Sequence, residues 1–122
     1  MVILLWILNG VLAIVFAKTG SFKLSRSRDD LRAAGMGWVD SFPRGFEKVI
    51  GFAEICGAIG LVAPLVTGIA RVLAPISALA LMFLLLGAIG THLRRKERAT
   101  FPLVLAVFCL LSAILGFVVI RD

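Results

Sequence analysis

Apolar residues fall along the chain in four long blocks, separated by short polar stretches that are mostly basic. No Asp, Glu, Lys or Arg lies between Met1 and Lys18, and Val49–Ala70 holds one, Glu54. Val72–Leu93 holds none and ends on His92 and Leu93, while Ala99–Ile120 holds none at all. Each block is close to the roughly 20 residues that cross a hydrocarbon core about 30 Å thick. Lipid offers no partner to backbone N–H and C=O groups, so segments of this kind are helices rather than open strands. The pattern predicts an all-α membrane protein, a four-transmembrane-helix bundle with spans near 2–23, 45–66, 72–93 and 101–120. The whole of 1–122 is then one domain.

The connections differ in length. Pro64, Thr67, Gly68 and Arg71 interrupt the apolar run between the second and third spans, and Pro75 opens the third. The link between the third and fourth spans is short and basic, with Pro102 suited to the first turn of the last helix. The first connection is long. Leu31, Gly35, Trp38 and Phe42 recur there at helical spacing, with Asp29 or Asp30 as a cap. This segment reads either as a short interfacial helix with Trp38 and Phe42 dipped toward lipid, or as a loop folded over the mouth of the bundle.

Composition agrees with the blocks: 61% of the 122 residues are hydrophobic and 16% charged, against about 25% charged in soluble domains. The net charge of +6 is first a topology signal. Lys18, Lys23, Arg26, Arg28, Arg32, Arg44 and Lys48 flank the first connection, and Arg94, Arg95, Lys96 and Arg98 fill the third. The opposite side has Arg71 and Arg121, a distribution of eleven basic residues against two. Short loops rich in Lys and Arg stay inside, which predicts cytoplasmic 1–2 and 3–4 loops, external termini and attraction to anionic headgroups. Nucleic acid is a poor partner for charges that flank spans. The first block lacks a basic n-region and reads as an inserted span rather than a cleaved signal, with Trp6 near the outer interface.

Within the spans, small residues permit close helix approach. The second offers Gly51, Ala53, Gly57, Ala58 and Gly60, and the third Gly87, Ala88 and Gly90. Gly51, Gly57, Gly60 and Gly87 are expected at packing surfaces. Glu54 is the most informative position. A carboxylate inside an apolar helix costs about 2.5–3.5 kcal/mol on insertion scales and usually faces a partner in the interior. It shares a helix face with Ile50, Gly51, Ala58 and Leu61. Lys18 and Lys23, at the inner end of the first span, are the cations within reach, and about 140° separates them around the helix, so both cannot face Glu54. Such a pair can be architectural, or it can form a ligand or proton site. His92 reads as an interfacial residue at a helix end or as a companion to Glu54 at the cytoplasmic mouth. A lone histidine cannot supply two axial haem ligands, and no metal-ligand spacing occurs. Cys56 and Cys109, without a C-x-x-C, read as apolar filler. Phosphate loops, nucleophile elbows and H-E-x-x-H are lacking, so a self-contained enzyme is not expected.

The spans also carry a family pattern. Gly20-Ser21-Phe22-Lys23-Leu24 is similar to a G-x-x-K-L ending of a first helix. Gly51-Phe52-Ala53-Glu54-Ile55-Cys56-Gly57-Ala58-Ile59-Gly60-Leu61, with Pro64 beyond, is similar to a G-x-x-E-x-x-G-x-x-G-L run. Thr91-His92-Leu93-Arg94-Arg95 resembles the close of a third helix. Together these resemble the DoxX-like family of small four-helix membrane proteins. The resemblance nominates Lys23 over Lys18 as partner of Glu54. It implies an accessory or assembly subunit of a bacterial inner-membrane oxidoreductase complex, with a quinone as the cofactor in view. Relatives that run thiol chemistry use a C-x-x-C, which this chain lacks. Two other readings stand beside it. One is a binding or transport module for a quinone, lipid or metabolite, with a cytoplasm-facing site at Glu54. The other is a small redox enzyme using the cysteines. A membrane protein partner or a second copy is expected in the first case.

Overall fold

A computed structural model describes residues 2–43 and 45–121; Met1, Arg44 and Asp122 lie outside it, as do the side chains of Ser41 and Arg121. The basic charges assigned to Arg44 and Arg121 are therefore outside the described residues. Four long helices dominate: α1 (Val2–Ser25), α3 (Phe46–Thr67), α4 (Leu73–Arg94) and α5 (Thr100–Arg121), with a short α2 (Arg28–Ala33) and a 3₁₀ helix (Gly37–Ser41) between the first two. All four long helices are long and apolar enough to cross a membrane. The protein is a four-helix membrane bundle. Each span is apolar on nearly every side, as expected of helices with lipid on their outer faces, so hydrophobicity alone does not separate inside from outside. Leu12, Phe16, Ala58, Leu61, Ala78, Leu81 and Cys109 fill the centre, while Ile3, Ile7, Val49, Phe52 and Ile59 are exposed around it.

α1 packs chiefly on α3, and α4 on α5, while α3–α4 and α1–α5 contacts join the two pairs into a ring. Neighbouring helices run antiparallel, which brings the first and third connections to one end, the basic end, and the α3–α4 turn to the other. Pro64 lies inside α3 near its far end, and the helix stops at Gly68, whose φ of 71° is the left-handed C-cap conformation and whose N–H bonds Pro64 O at 3.0 Å. α4 ends in a Schellman turn. The Glu97 N–H bonds His92 O at 2.8 Å, the Lys96 N–H bonds Leu93 O at 3.1 Å, and Lys96 itself takes φ 59°.

The first connection corrects an expectation. Leu31, Gly35, Trp38 and Phe42 do not share one helix, because the chain breaks at Gly35 with φ 92°. The N-cap of α2 is Ser27, whose side chain accepts from the Asp30 N–H. Asp29 and Asp30 instead occupy the first turn, where carboxylates favour the helix dipole. Leu31 and Val39 are each fully buried; α2 packs on the 3₁₀ helix, which in turn touches α4. Arg28 staples it to α3, donating to Phe42 O at 3.1 Å, Pro43 O at 2.7 Å and Glu47 Oε2 at 2.7 Å. Lys48 donates to the Lys23 carbonyl at 2.7 Å and to the Arg26 carbonyl, closing the end of α1. The result is a fixed cap over one end of the ring.

Candidate functional site

Gly20 and Gly51 set the distance between α1 and α3. A Cβ on Gly20 would lie 2.7 Å from the Gly51 carbonyl oxygen, and one on Gly51 would lie 2.8 Å from the Gly20 oxygen. Backbones touching at this level carry Glu54, one turn along α3, against the face of α1. There Lys23 Nζ donates to Glu54 Oε1 and Thr19 Oγ1 donates to Glu54 Oε2. Thr19 and Lys23 are one helical turn apart, so both oxygens of the carboxylate are engaged from a single helix. Glu54 is 3% exposed, about 12 Å along α3 from Phe46 at 1.5 Å per residue. Lys23 also lies 5.5 Å from the ring centroid of Trp38 in the cap, within cation–π range.

A second polar cluster lies in the far half. Asn9 Nδ2 donates to Leu61 O at 2.8 Å, and Ser112 Oγ donates to Asn9 Oδ1. Asn9 and Ser112 are each about 1% exposed, and the pair ties α1, α3 and α5 together. The close glycine contacts between α3 and α4 lie in the same half: Gly57 against Leu81 and Gly60 against Ser77. At the basic end the tight contact is instead within one pair, at Gly20 and Gly51. The two helix pairs therefore close on one another at the far end and part toward the cap.

The space between them is a cavity of about 530 Å³, within the roughly 300–1,000 Å³ of small-molecule sites. Phe16, Thr19 and Lys23 of α1 and Phe46, Ile50 and Glu54 of α3 form one wall. Phe83, Gly87, Thr91 and Arg94 of α4 face them, with Phe101 and Leu105 of α5. Met36, Trp38 and Phe42 of the cap roof it, and His92 and Arg98 line it near the rim. Its walls are thus mainly aromatic and aliphatic, with a neutralised ion pair and a hydroxyl set into one side.

Of the polar residues singled out from the sequence, Glu54 and Lys23 meet, and Lys18 does not join them: it is exposed on the outer face of α1. His92 lines the same cavity as Glu54, but its Nδ1 lies 3.3 Å from Glu97 Oε1. Glu97 also accepts from Arg95 Nε at 3.1 Å. Gly51, Gly57 and Gly60 each lie against another helix. Gly87 does not, and this corrects its reading as a packing residue: a Cβ there meets nothing within 4 Å, because Gly87 borders the cavity. Cys56 is exposed and Cys109 fully buried, on different helices. Among the described residues no group of three His, Cys, Asp or Glu converges as a metal site. Thr19, Asn9 and Ser112 escape a reading based on charge. The available signal was that Asn9 is the one amide side chain in an otherwise apolar block.

The model of the DoxX-like family matches residues 7–115. The chain belongs to the DoxX-like family. No curated protein and no solved structure shows significant similarity to it. For this DoxX-like protein the match covers the Lys23–Glu54 pair, the cap, α3 and α4 entire, and most of α1 and α5. Family and fold together define a small multi-pass membrane protein.

Proposed function

We propose that this DoxX-like protein is a membrane-embedded binding module for a small apolar or amphipathic molecule, with its site in the cavity at the basic end. The observation that carries the reading is the cavity itself, which reaches Glu54, Lys23 and Thr19 instead of leaving them sealed in packed side chains. Ligand sites commonly pair an apolar chamber with a few convergent polar groups. We place the basic end at the cytoplasmic face of a bacterial inner membrane, on the excess of Lys and Arg in its two connections. A quinone fits the chemistry of such a chamber: its flat ring suits the aromatic walls, and its carbonyls suit Lys23.

Trp38 lines the cavity and Trp6 does not, so a Trp6→Phe background makes Trp38 a local reporter. In nanodiscs, a short-tailed quinone should quench Trp38 saturably. Gly87→Phe should abolish the saturable part while leaving thermal stability unchanged, because its ring enters open space. Quenching that rises linearly with probe, and equally in both proteins, would be simple partition into the bilayer and would overturn the reading.

A role as accessory subunit of a membrane oxidoreductase complex is the second reading. What favours it is the open space at Gly10 and Gly90, where an added Cβ meets nothing within 4 Å. Small residues facing outward from a span let a partner helix approach. Co-purification of a partner in mild detergent, lost in Gly10→Leu/Gly90→Leu, tests it, and a lone monodisperse protein would argue against it.

A further inference from the structure

The basic residues around the cap divide into those already engaged and those left over. Arg28 is bound to Glu47, and Arg32 to Asp40 and Asp29. Lys23 is bound to Glu54, Arg95 to Glu97, and Lys48 to carbonyls at the end of α1. Arg26 lies over the Phe22 ring. Arg94, Lys96 and Arg98 have no acidic partner among the described residues, and of these Arg94 and Arg98 line the cavity. They approach it from the two sides of the Schellman turn that ends α4, Arg94 before the turn and Arg98 after it. Arg94 also borders a second, smaller hollow of about 280 Å³ beside Phe42, Thr91 and Arg95. The rim of the cavity is thus cationic and unneutralised, while the charge deeper inside is already balanced.

The chamber also has a length. From Arg94 to Phe83 along α4 is eleven residues, about 16 Å at 1.5 Å per residue, or roughly half of a hydrocarbon core about 30 Å thick. An apolar chamber whose lining extends over that length and includes two guanidinium groups without an acidic partner matches a molecule with one apolar chain and an anionic head. Guanidinium binds carboxylate and phosphate through paired N–H donors, and basic pockets between spans are a recurring way to hold acidic headgroups. A neutral ligand would leave both exposed arginines to water and lipid headgroups, whereas an anionic head pairs with them directly.

Resting on the binding role proposed above, we infer that the ligand of this cavity is an anionic single-leaflet amphiphile, its carboxylate or phosphate head held by Arg94 and Arg98 and its chain directed toward Phe83. The test uses the full-length Trp6→Phe protein in uncharged nanodiscs with three bromine-labelled probes of equal chain length: a fatty acid, an alkyl phosphate and a neutral monoacylglycerol. The anionic probes should quench Trp38 at lower concentration than the neutral one. Arg94→Gln/Arg98→Gln should weaken them about thirtyfold, from roughly 1 kcal/mol for each basic residue, and leave the neutral probe unchanged. Preference for the fatty acid or the phosphate then identifies the head. Equal binding of neutral and anionic probes, or no effect of the double substitution, would overturn the anionic assignment while leaving a binding module in place. If no probe shows saturable quenching that Gly87→Phe removes, the binding role falls and the assignment falls with it.

Discussion

Replacing Lys23 by alanine should expose the energetics of the α1–α3 seam. Glu54 would keep one of its two donors, Thr19, in a site 3% exposed. Removing one partner of a buried pair costs about 3–5 kcal/mol, and a carboxylate at mid-span costs about 2.5–3.5 kcal/mol on insertion scales. The surviving hydroxyl bond offsets about 1 kcal/mol of this. We expect Lys23→Ala to destabilise by about 2–3 kcal/mol. Glu54→Gln should be milder, about 1 kcal/mol, because the amide still accepts a hydrogen bond. Lys23 is also only two residues from the end of α1 and can swing its ammonium to the interface. The double variant strands no charge, so its cost should fall about 2 kcal/mol below the sum of the two singles, within the range of coupled neighbours.

Cys109 supplies the assay. Its side chain is fully buried, so in a Cys56→Ala background maleimide reaction follows unfolding as SDS is titrated into mixed micelles. Lys18→Ala is the matched control, since that lysine is exposed on the same helix. Two results would refute the reasoning: additivity of the Lys23 and Glu54 changes within about 0.5 kcal/mol, or a Lys23→Ala no costlier than Lys18→Ala.

The same titration checks the packing. Gly51→Ala would set a methyl 2.8 Å from the Gly20 carbonyl and should cost about 1–3 kcal/mol, whereas Gly87→Ala should be close to neutral. Asn9→Ala removes the bonds to Leu61 O and Ser112; interhelical hydrogen bonds in lipid average about 0.6 kcal/mol and reach about 1.7, so we expect a loss of about 1 kcal/mol for the pair, and no change would mean that the cluster is energetically idle. Lys96→Gly relieves a left-handed conformation at φ 59° and should stabilise by about 1 kcal/mol, read as a higher SDS midpoint. In native membranes both thiols should resist maleimide, Cys56 because its exposed side at the middle of α3 meets lipid and Cys109 because it is buried; labelling of Cys56 there would mean that water reaches the middle of α3.

The spans were legible because charge breaks apolar runs, and lipid permits one backbone solution for such runs. Glu54 was legible for a related reason: an ionised group in a span is costly enough to demand a partner. Which lysine answers it was not fixed by helical geometry alone, since Lys18 and Lys23 differ by about 140° and either face could have turned inward. Thr19 illustrates the harder case. Thr67 Oγ1 and Thr91 Oγ1 bond carbonyls of their own helices at 2.9 and 3.0 Å, and Thr19 also lies 3.3 Å from Phe16 O. What separates Thr19 from the other two is the carboxylate brought beside it by the Gly20–Gly51 contact, a tertiary fact with no local signature. In the cap, the reading as a segment folded over the mouth of the bundle agrees with the structure, whereas the single helical stripe does not. The apolar spacing suits a helix, yet Gly35 turns the chain and puts Leu31 and Val39 on separate short helices, each buried.

Gly57 and Gly87 show why a cavity is harder to foresee than a core. Both are glycines in apolar runs beside aliphatic neighbours, but Gly57 receives Leu81 while Gly87 receives nothing. The difference arises from the divergence of two helix pairs, which depends on contacts made a full half-span away at Ser77, Asn9 and Ser112. The same divergence explains why architectural and ligand-binding readings of Glu54 need not compete. Both oxygens of its carboxylate close the α1–α3 seam, and the residue also borders the open chamber. Substituting Glu54 therefore perturbs stability and any bound ligand together and cannot apportion its roles. Gly87→Phe acts on the chamber alone, and Gly51→Ala acts first on the seam. Retained binding in a destabilised Gly51→Ala, beside lost binding in a fully stable Gly87→Phe, is the combination that would separate the two roles.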